Sequence, residues 1–273
     1  NLHHYTTIAM QISRYFFLFI LLFSGRITSL SAQEKEPLPF FAPADTFHAS
    51  RFWTSFGVGA GAYTASMIGL NQIWYAEYPR GDFRLFNDWQ EWEKMDKMGH
   101  AVTTYQESRI VFEMLRWAGM KREKSIWIAA GTASFFQASL ETLDGFSERW
   151  GFSMYDIAFN TAGAGLFVSQ ELLWKEQRIG LKISSSGVKY PQVQVRSTDG
   201  SQTTSLQERV EELYGRSAPE RFIKDYNGQT TWLSANVHSF LSPSSRFPRW
   251  LNVAGGYGAQ NLYGGFANRW EIE

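Results

Sequence analysis

Three long segments with helical periodicity follow one another between residues 94 and 173, and only a few residues separate each segment from the next. The segments run from about Lys94 to Gly119, from about Lys124 to Leu143 and from Ser153 to about Leu173. Ser153 followed by Asp156 three positions later is the pattern of a capping box, which marks the start of a helix. Because short connections make neighbouring helices antiparallel, the sequence predicts an up-and-down bundle.

A further helix is predicted before these three, over an uncharged stretch from about Phe52 to Tyr75. Small residues recur every four positions along this stretch, at Gly57, Gly61, Ala65 and Gly69. Such a stripe lets a second helix approach closely, in lipid or in a tight core. The predicted fold class is therefore mainly α, an up-and-down bundle of about four helices over residues 52–175, and we expect this bundle to be membrane-associated or partly inserted.

The N-terminal residues have the pattern of an export signal. Met10 is followed by Arg14, by an apolar run from Tyr15 to Phe23 and by small residues that end at Ala32. A spanning helix needs about 20 apolar residues, whereas one positive charge and a shorter apolar run are typical of a signal peptide. We expect residues 1–32 to comprise upstream residues and the signal peptide, and the proline-containing residues 33–51 to form an extended lead-in.

The residues after Trp174 have a different composition, which predicts a separate C-terminal extension over residues 176–273. Stretches at 179–184 and 193–195 favour strands, and residues 206–214 favour a short amphipathic helix. The segment 232–241 fits helical spacing and strand alternation equally well. Glycine and aromatic residues dominate the end of the chain, from Gly255 to Gly265, so we expect the extension to be largely irregular and packed on the bundle.

The overall composition excludes several classes of function. The chain carries 26 basic and 26 acidic residues, whereas a nucleic-acid-binding surface needs a basic excess, so we expect no nucleic acid as a partner. No cysteine is present, which excludes disulfides, thiolate metal ligands and a lipid-modified N-terminal cysteine. Eleven tryptophans and twelve tyrosines suit a membrane interface or a binding groove.

Three of the predicted helices each carry a polar stripe among apolar residues. Asp96 and His100 are four residues apart and share one helical face. A polar stripe that faces the neighbouring helices must find partners there, because unpaired buried charges are costly. We therefore predict that a polar cluster converges inside the bundle, with Lys97 available to neutralise its acids. Its members are Asp96, Lys97, His100, Glu107, Gln137, Glu141, Asp144, Asp156 and Asn160.

This cluster has three interpretations. Carboxylates and a histidine on facing helices can hold a divalent metal ion, with His100, Glu141, Asp144 and Asp156 as ligands, although no Glu-x-x-His pair occurs. Closely spaced carboxylates can also act as acid–base catalysts, with His100, Glu141 and Asp144 as the catalytic groups. Alternatively, the cluster is a hydrogen-bonded network that fixes the register of the helices, and Asp156 merely caps its helix. Apart from the metal ion, no cofactor is expected.

Three short motifs that contain these residues resemble a known family. They are Asp96-Lys97-Met98-Gly99-His100, Glu141-Thr142-Leu143-Asp144-Gly145, and Trp150-Gly151-Phe152-Ser153-Met154-Tyr155-Asp156 followed by Asn160 and Gly163. Their sequence resembles that of the YfiM-type predicted envelope lipoproteins, a family of unknown function, and their order is similar to that of VanZ-like membrane proteins, which are linked to glycopeptide tolerance. The resemblance covers about residues 88–170. The chain departs from the YfiM-type pattern because it lacks the lipobox cysteine and adds an extension like that of longer Bacteroidetes-type members.

The resemblance implies an envelope location and a helical bundle with a shared polar motif. We expect an exported, periplasm-facing and membrane-associated protein, at the outer membrane rather than the inner one. Its expected partners are the membrane surface or bilayer and other envelope proteins. The expected function is that of a non-enzymatic accessory subunit of an envelope complex, and the alternative is a hydrolase-like enzyme that acts on a lipid-linked or cell-wall substrate.

Overall fold

Long helices dominate the part of the chain that the structure, a computed structural model, describes: residues 39–72, 78–197, 199–266 and, for the backbone alone, 270–272. The contacts within the chain separate residues 1–40 from residues 41–273, and the described helices and strands all lie in the second unit. The predicted signal peptide and residues 33–38 of the predicted lead-in lie outside the described residues, and the last three lead-in residues, 49–51, belong to the first described helix. The long helices are α1 (Ala49–Leu70), α2 (Met95–Trp117), α3 (Arg122–Gly145) and α4 (Met154–Leu173).

The predicted helical segments are confirmed to within a few residues at each end. The chain turns after α2 at Gly119, which has a φ of 76°, a left-handed conformation that glycine adopts without steric cost. Ser153 caps α4, since its hydroxyl oxygen accepts a hydrogen bond from the backbone N–H of Asp156. The predicted end of α1, at Tyr75, lies outside the described residues.

Helices α2, α3 and α4 pack against one another around a core in which small side chains allow close approach. The buried members of this core are Tyr105, Phe112, Ile126, Ala129, Ala130, Ala164 and Phe167. Helix α1 is attached less extensively: Arg51 donates to the carbonyl of Trp117 at 3.2 Å, and the ring of Tyr63 stacks on that of Phe136 with centroids 4.3 Å apart. The mainly α class is thus confirmed, with three helices in mutual contact and α1 at their side.

The stripe of small residues on α1 is open in the described structure. A Cβ added at Gly57, Gly61 or Gly69 would meet no atom within 4 Å, so the stripe does not pack against another described helix. None of the described helices combines the length and the apolar character needed to cross a bilayer.

The C-terminal extension is more regular than the sequence predicts. It contains strands β1 (Ile179–Ser185), β2 (Gln194–Ser197), β3 (Thr203–Ser205), β4 (Gln229–Asn236), β5 (Asn252–Tyr257) and β6 (Trp270–Ile272), and helices α5 (Leu206–Tyr214) and α6 (Ala218–Lys224). The helix predicted over residues 206–214 is confirmed, as are strands near 179–184 and 193–195. The prediction of a largely irregular extension is wrong, because these strands form two antiparallel sheets, in the orders β1-β4-β5 and β3-β2-β6.

Strand β5 shows why the glycine-rich end of the chain was wrongly predicted to be irregular. Gly256 pairs with Trp232 of β4, and a Cβ added at Gly256 would lie 2.7 Å from the Trp232 ring. The absence of a side chain therefore makes room for the indole of the neighbouring strand, an arrangement in which an aromatic ring covers a strand glycine.

Candidate functional site

A cluster of charged and polar side chains lies where α2, α3 and α4 meet. We call it the His100 centre, and its members are Asp88, Asp96, Lys97, His100, Glu141, Asp156 and Asn160. Helices α2, α3 and α4 each contribute at least one member, as the polar stripes predict. Asp88 comes from the loop that precedes α2.

The ammonium group of Lys97 is the fixed cation of the His100 centre. The residue is fully buried, and its Nζ contacts a carboxylate oxygen of Asp88. The same Nζ lies 2.9 Å from Oδ1 of Asp156 and 3.2 Å from Oδ2 of Asp96. A buried ammonium group needs this many partners, because leaving it unpaired would cost several kcal/mol. The predicted role of Lys97, to neutralise the acids, agrees with these contacts.

Asp88 reaches the centre because its loop runs along the connection between α3 and α4. The backbone N–H of Phe86 donates to the carbonyl of Phe152 at 3.0 Å, and the backbone N–H of Phe152 donates to the carbonyl of Arg84 at 2.9 Å. This pairing brings Asp88 next to Ser153, whose hydroxyl donates to Oδ1 of Asp88 at 2.6 Å. The cap of α4 and the loop before α2 are thereby joined in one hydrogen-bond network.

His100 uses its two ring nitrogens differently. Its Nδ1 lies 3.1 Å from Oδ1 of Asn160, and its Nε2 faces carboxylate oxygens of Glu141 at 3.4 Å, Asp96 at 3.9 Å and Asp156 at 4.0 Å. If Nδ1 donates to the amide oxygen of Asn160, Nε2 is free to hold a second proton or to bind a cation. The imidazole is therefore oriented toward three acids by a neutral partner.

Glu141 takes the place in the α4 cap that the sequence assigns to Asp156. In a complete capping box, the side chain of the residue three positions after the cap accepts from the backbone N–H of the cap. Here the N–H of Ser153 donates instead to Oε2 of Glu141 at 3.1 Å, and the Asp156 carboxylate lies against Lys97. The interpretation of Asp156 as a mere helix cap is therefore wrong, since its backbone takes part in the cap and its side chain belongs to the centre.

The C-terminal extension reaches the centre through Tyr226. Its hydroxyl donates to Oδ1 of Asp96 at 3.0 Å, and its ring packs near that of Trp92, with centroids 5.7 Å apart. Trp92, Glu93 and Lys94 have φ angles of 51°, 49° and 63°, a left-handed turn that costs roughly 1–2 kcal/mol per residue. The hydroxyl of Tyr257 donates to the carbonyl of Glu93 at 2.6 Å. The extension therefore holds the strained turn that leads into α2.

The charges of the centre are strongly coupled. Burial alone would lower the pKa of His100, but the carboxylates of Asp96, Asp156 and Glu141 raise it to about 9. Burial raises the pKa of Glu141 to about 8, against the opposing charge of His100. Burial and the charge of Asp96 raise the pKa of Asp156 to about 7. Burial opposes ionisation of Asp96 too, yet His100 and Lys97 hold its pKa below the ordinary value. Lys97 pairs with Asp88, Asp96 and Asp156, and the charges of Asp96, Asp156 and Glu141 favour a positive charge at His100.

The remaining predicted members lie at the edge of this arrangement. Glu107 and Gln137 form a separate pair, in which the amide of Gln137 donates to Oε2 of Glu107 at 3.0 Å. Asp144 lies near the end of α3, and its negative charge raises the pKa of Glu141. The three residues whose ligand atoms all lie within 4.8 Å of one another are Asp96, His100 and Asp156, a set that contains Asp96 in place of the predicted Glu141 and Asp144.

The centre opens to solvent on one side. The side chains of His100 and Asp96 are 16% and 27% exposed, whereas the side chains of Glu141 and Asp156 are nearly inaccessible. Asn160 is also buried, and its Nδ2 has no hydrogen-bond acceptor among the described residues. Solvent therefore reaches His100 and Asp96 directly, and an outside ion would approach Asp156 and Glu141 past these two side chains.

Sequence reasoning missed Asp88 and Tyr226. Asp88 lies in a loop that has no periodicity, so nothing in its spacing relates it to Lys97. Tyr226 is 130 positions from Asp96 and lies in a segment for which the sequence predicts packing on the bundle but no particular contact. Both residues join the centre through tertiary contacts alone.

Residues 85–171 match the model of a family described as "Predicted periplasmic lipoprotein (DUF2279)". The match covers about a third of the chain and includes every member of the His100 centre. No curated protein and no solved structure matches the chain. The family description supports an exported, periplasm-facing envelope protein of unknown function. The word lipoprotein is said of that family; the 273 residues here contain no cysteine.

Proposed function

We propose that this chain is an exported, periplasm-facing envelope protein whose His100 centre binds one divalent metal ion. The envelope location is supported by the matched family and by the export signal predicted over residues 10–32. The metal proposal rests mainly on one observation, namely that Nε2 of His100 faces three carboxylates while Asn160 holds Nδ1. A metal-binding histidine commonly donates the N–H of its other ring nitrogen to an oxygen acceptor, and this hydrogen bond orients the metal-binding nitrogen toward the ion.

The distances at the centre are close to those around a bound ion. Zinc bonds of about 2.0–2.1 Å in tetrahedral geometry keep ligand atoms roughly 3.4 Å apart. Nε2 of His100 lies 3.4 Å from Glu141, 3.9 Å from Asp96 and 4.0 Å from Asp156. Small side-chain movements would therefore suffice to surround an ion. We propose Asp96, His100 and Asp156 as ligands, with Glu141 as a further acid beside the ion.

The charge of the centre favours the same proposal. Asp88, Asp96, Glu141 and Asp156 supply four carboxylates, and Lys97 is the one lysine among them. A proton on His100 offsets part of this excess, and a divalent cation would offset more of it. Nitrogen and oxygen ligands of this kind suit zinc or manganese.

We propose that the bound ion has a non-enzymatic role, in an accessory subunit of an envelope complex. The centre links three helices, the loop of Asp88 and the extension through Tyr226, so an ion there would stiffen the junction between the bundle and the extension. The finer resemblance, to YfiM-type and VanZ-like proteins, and the location at the outer membrane remain predictions. Fractionation of native envelopes followed by mild cross-linking tests both location and assembly, and recovery as a free periplasmic monomer would contradict them.

The alternative function is an envelope enzyme that hydrolyses a lipid-linked or cell-wall substrate. The exposure of His100 and Asp96 and the donor of Asn160 that lacks an acceptor favour it, because a substrate oxygen could use that donor. His100→Ala and Glu141→Ala variants separate the two functions. Folded variants that assemble normally but have lost cellular function favour the enzyme, whereas variants that lose stability and assembly together favour the structural role.

Metal binding is tested on the full chain after treatment with a chelator. Calorimetric titration with zinc or manganese should give one ion per chain, and the melting temperature should rise with the ion. His100→Ala and Asp96→Asn should lose this binding, while His48→Ala, which removes an exposed histidine at the start of α1, should keep it. Circular dichroism shows whether each variant is folded. Equal binding by wild type and a folded His100→Ala variant, or no binding by the wild type, would refute the proposal.

A further inference from the structure

A second site lies away from the His100 centre, in a cavity of about 450 Å³. It is bordered by α2, by strands β1 and β4 and by the chain between β4 and β5. Four cationic side chains line it, and Glu176 is the carboxylate among the lining residues. The cations are Arg109, Arg178, Lys182 and Arg249. In a chain with no net charge, this is a marked local excess of positive charge.

Most of these cations have no acidic partner within the described part of the protein. Arg178 pairs with Glu176 at 2.7 Å, and its guanidinium lies over the ring of Trp174, which fixes its position. Lys182 donates to the hydroxyl of Ser234 at 3.1 Å, and Arg109 donates to the amide oxygen of Gln106 at 3.3 Å. Among the described residues, no carboxylate forms an ion pair with Arg109, Lys182 or Arg249.

The register of the sheet explains why these groups face one cavity. Lys182 pairs with Trp232, and Asn236 pairs with Asn252. Because alternate residues of a strand share a face, Lys182, Ser234 and Asn236 lie on the same side of the sheet. Ser234 is buried, and its hydroxyl, which accepts from Lys182, lines the cavity.

We propose that this cavity binds a phosphate ester. Arginine and lysine together form charge-assisted hydrogen bonds with phosphate oxygens, and a cleft lined by one sign of charge concentrates ions of the opposite sign. The volume falls in the range of small-molecule pockets and exceeds what inorganic phosphate alone requires. The proposal is independent of the metal at the His100 centre.

The ester comes either from a soluble metabolite or from a lipid headgroup. The chain beside Arg249 is apolar and accessible, since Trp250 is 77% exposed and Leu251 is 37% exposed. Exposed tryptophan next to cations is typical of residues at a membrane interface. A lipid phosphate would place its headgroup in the cavity and its acyl chains near Trp250, whereas a soluble ester would not use Trp250.

The test uses the full chain and two probes. Calorimetry measures binding of glycerol 3-phosphate, and flotation measures binding to phosphatidylcholine vesicles with and without phosphatidic acid. The wild type should bind at least one of the two probes, more weakly at high salt. Lys182→Gln and Arg249→Gln should each weaken that binding at least about tenfold. Arg246→Gln, an exposed arginine of the same segment outside the cavity, should bind as the wild type does.

The variants also identify the source of the phosphate. Loss of vesicle binding in Trp250→Ala, with binding of glycerol 3-phosphate unchanged or absent, supports a lipid headgroup. Binding of glycerol 3-phosphate alone supports a soluble ester. The proposal is overturned if neither probe binds, or if folded Lys182→Gln and Arg249→Gln variants bind both probes as tightly as the wild type.

Discussion

The hydroxyl of Tyr226 donates a hydrogen bond to Asp96 at 3.0 Å, across 130 positions of sequence. Asp96 also lies 3.2 Å from the ammonium group of Lys97 and 3.9 Å from Nε2 of His100. The carboxylate therefore joins the helical bundle to the C-terminal extension. The extension contacts the His100 centre through this hydrogen bond, and changes in either should affect the other.

Replacement of Tyr226 by phenylalanine should lower the free energy of unfolding by about 1–2 kcal/mol, because a hydrogen bond to a charged group is lost and the ring is kept. Urea denaturation at neutral pH measures this effect. Tyr155→Phe is the matched control, since the Tyr155 hydroxyl has no hydrogen-bond partner among the described residues, and its stability should stay that of the wild type. Equal stability of the two variants would show that the Tyr226 contact does not stabilise the fold.

The sequence predicted the bundle better than the extension for a physical reason. Helical periodicity and the Ser153 cap are local signals, and they place α2, α3 and α4 to within a few residues. The strand β5 depends on contacts between distant segments, because the ring of Trp232 fits beside β5 only where the paired residue, Gly256, has no Cβ. Its glycines carry no local signal that favours a strand.

The sequence predicted which helices contribute to the His100 centre but not its individual contacts. The spacing of Asp96 and His100 on one helix, and of Asp156 and Asn160 on another, places each pair on one face of its helix. Which acid contacts which base depends on how far the helices are rotated and shifted, so Glu141 and Asp156 exchanged their expected roles at the cap. Asp88 and Tyr226 come from loops, where periodicity gives no information.

Glu107 should make stability depend on pH. Burial raises its pKa from the ordinary 4.5 to about 7, against the hydrogen bond from Gln137 and the charge of His100. The folded state therefore keeps the proton of Glu107 to a higher pH than the unfolded state does. The free energy of unfolding that this protonation contributes is complete below pH 4.5 and is lost as the pH rises to about 7. Glu107→Gln, which stays neutral, should be more stable than the wild type by about 2 kcal/mol at pH 8 and similar to it at pH 4.5. Urea denaturation at both pH values measures the difference.

Glu113→Gln, at an exposed site of the same helix, is the control and should show no such change. An effect of Glu107→Gln that does not depend on pH would refute the burial argument.

Glu93 offers a test of the left-handed turn before α2. The residue is exposed, and its φ of 49° is unfavourable for any side chain with a Cβ. Glu93→Gly should raise the free energy of unfolding by about 0.5–1 kcal/mol, because relief of the backbone strain exceeds the entropic cost of glycine. The hydrogen bond from Tyr257 uses the backbone carbonyl of Glu93 and is preserved. Thermal denaturation compares this variant with Glu113→Gly, which removes the same side chain from an exposed position near the C-terminal end of α2 and should lose up to about 1 kcal/mol. A loss of stability in both variants would mean that the turn is not strained.

Two glycines of α4 should respond in opposite directions to the same substitution. A Cβ at Gly163 would lie 2.2 Å from the carbonyl oxygen of Ala101, whereas a Cβ at Gly165 would meet nothing within 4 Å. Ala101 follows His100, so Gly163→Ala must push α2 and α4 apart beside the centre, and we expect a loss of at least about 2 kcal/mol. Gly165→Ala should instead stabilise the helix by up to about 1 kcal/mol, because alanine has the higher helix propensity. Urea denaturation of the two variants and the wild type in parallel measures both changes in the free energy of unfolding. Equal stability of Gly163→Ala and Gly165→Ala would mean that α2 and α4 do not approach as closely as the contact between Gly163 and Ala101 requires. The distance of 3.1 Å between Nδ1 of His100 and Oδ1 of Asn160 would then be wrong too, because it depends on the same approach.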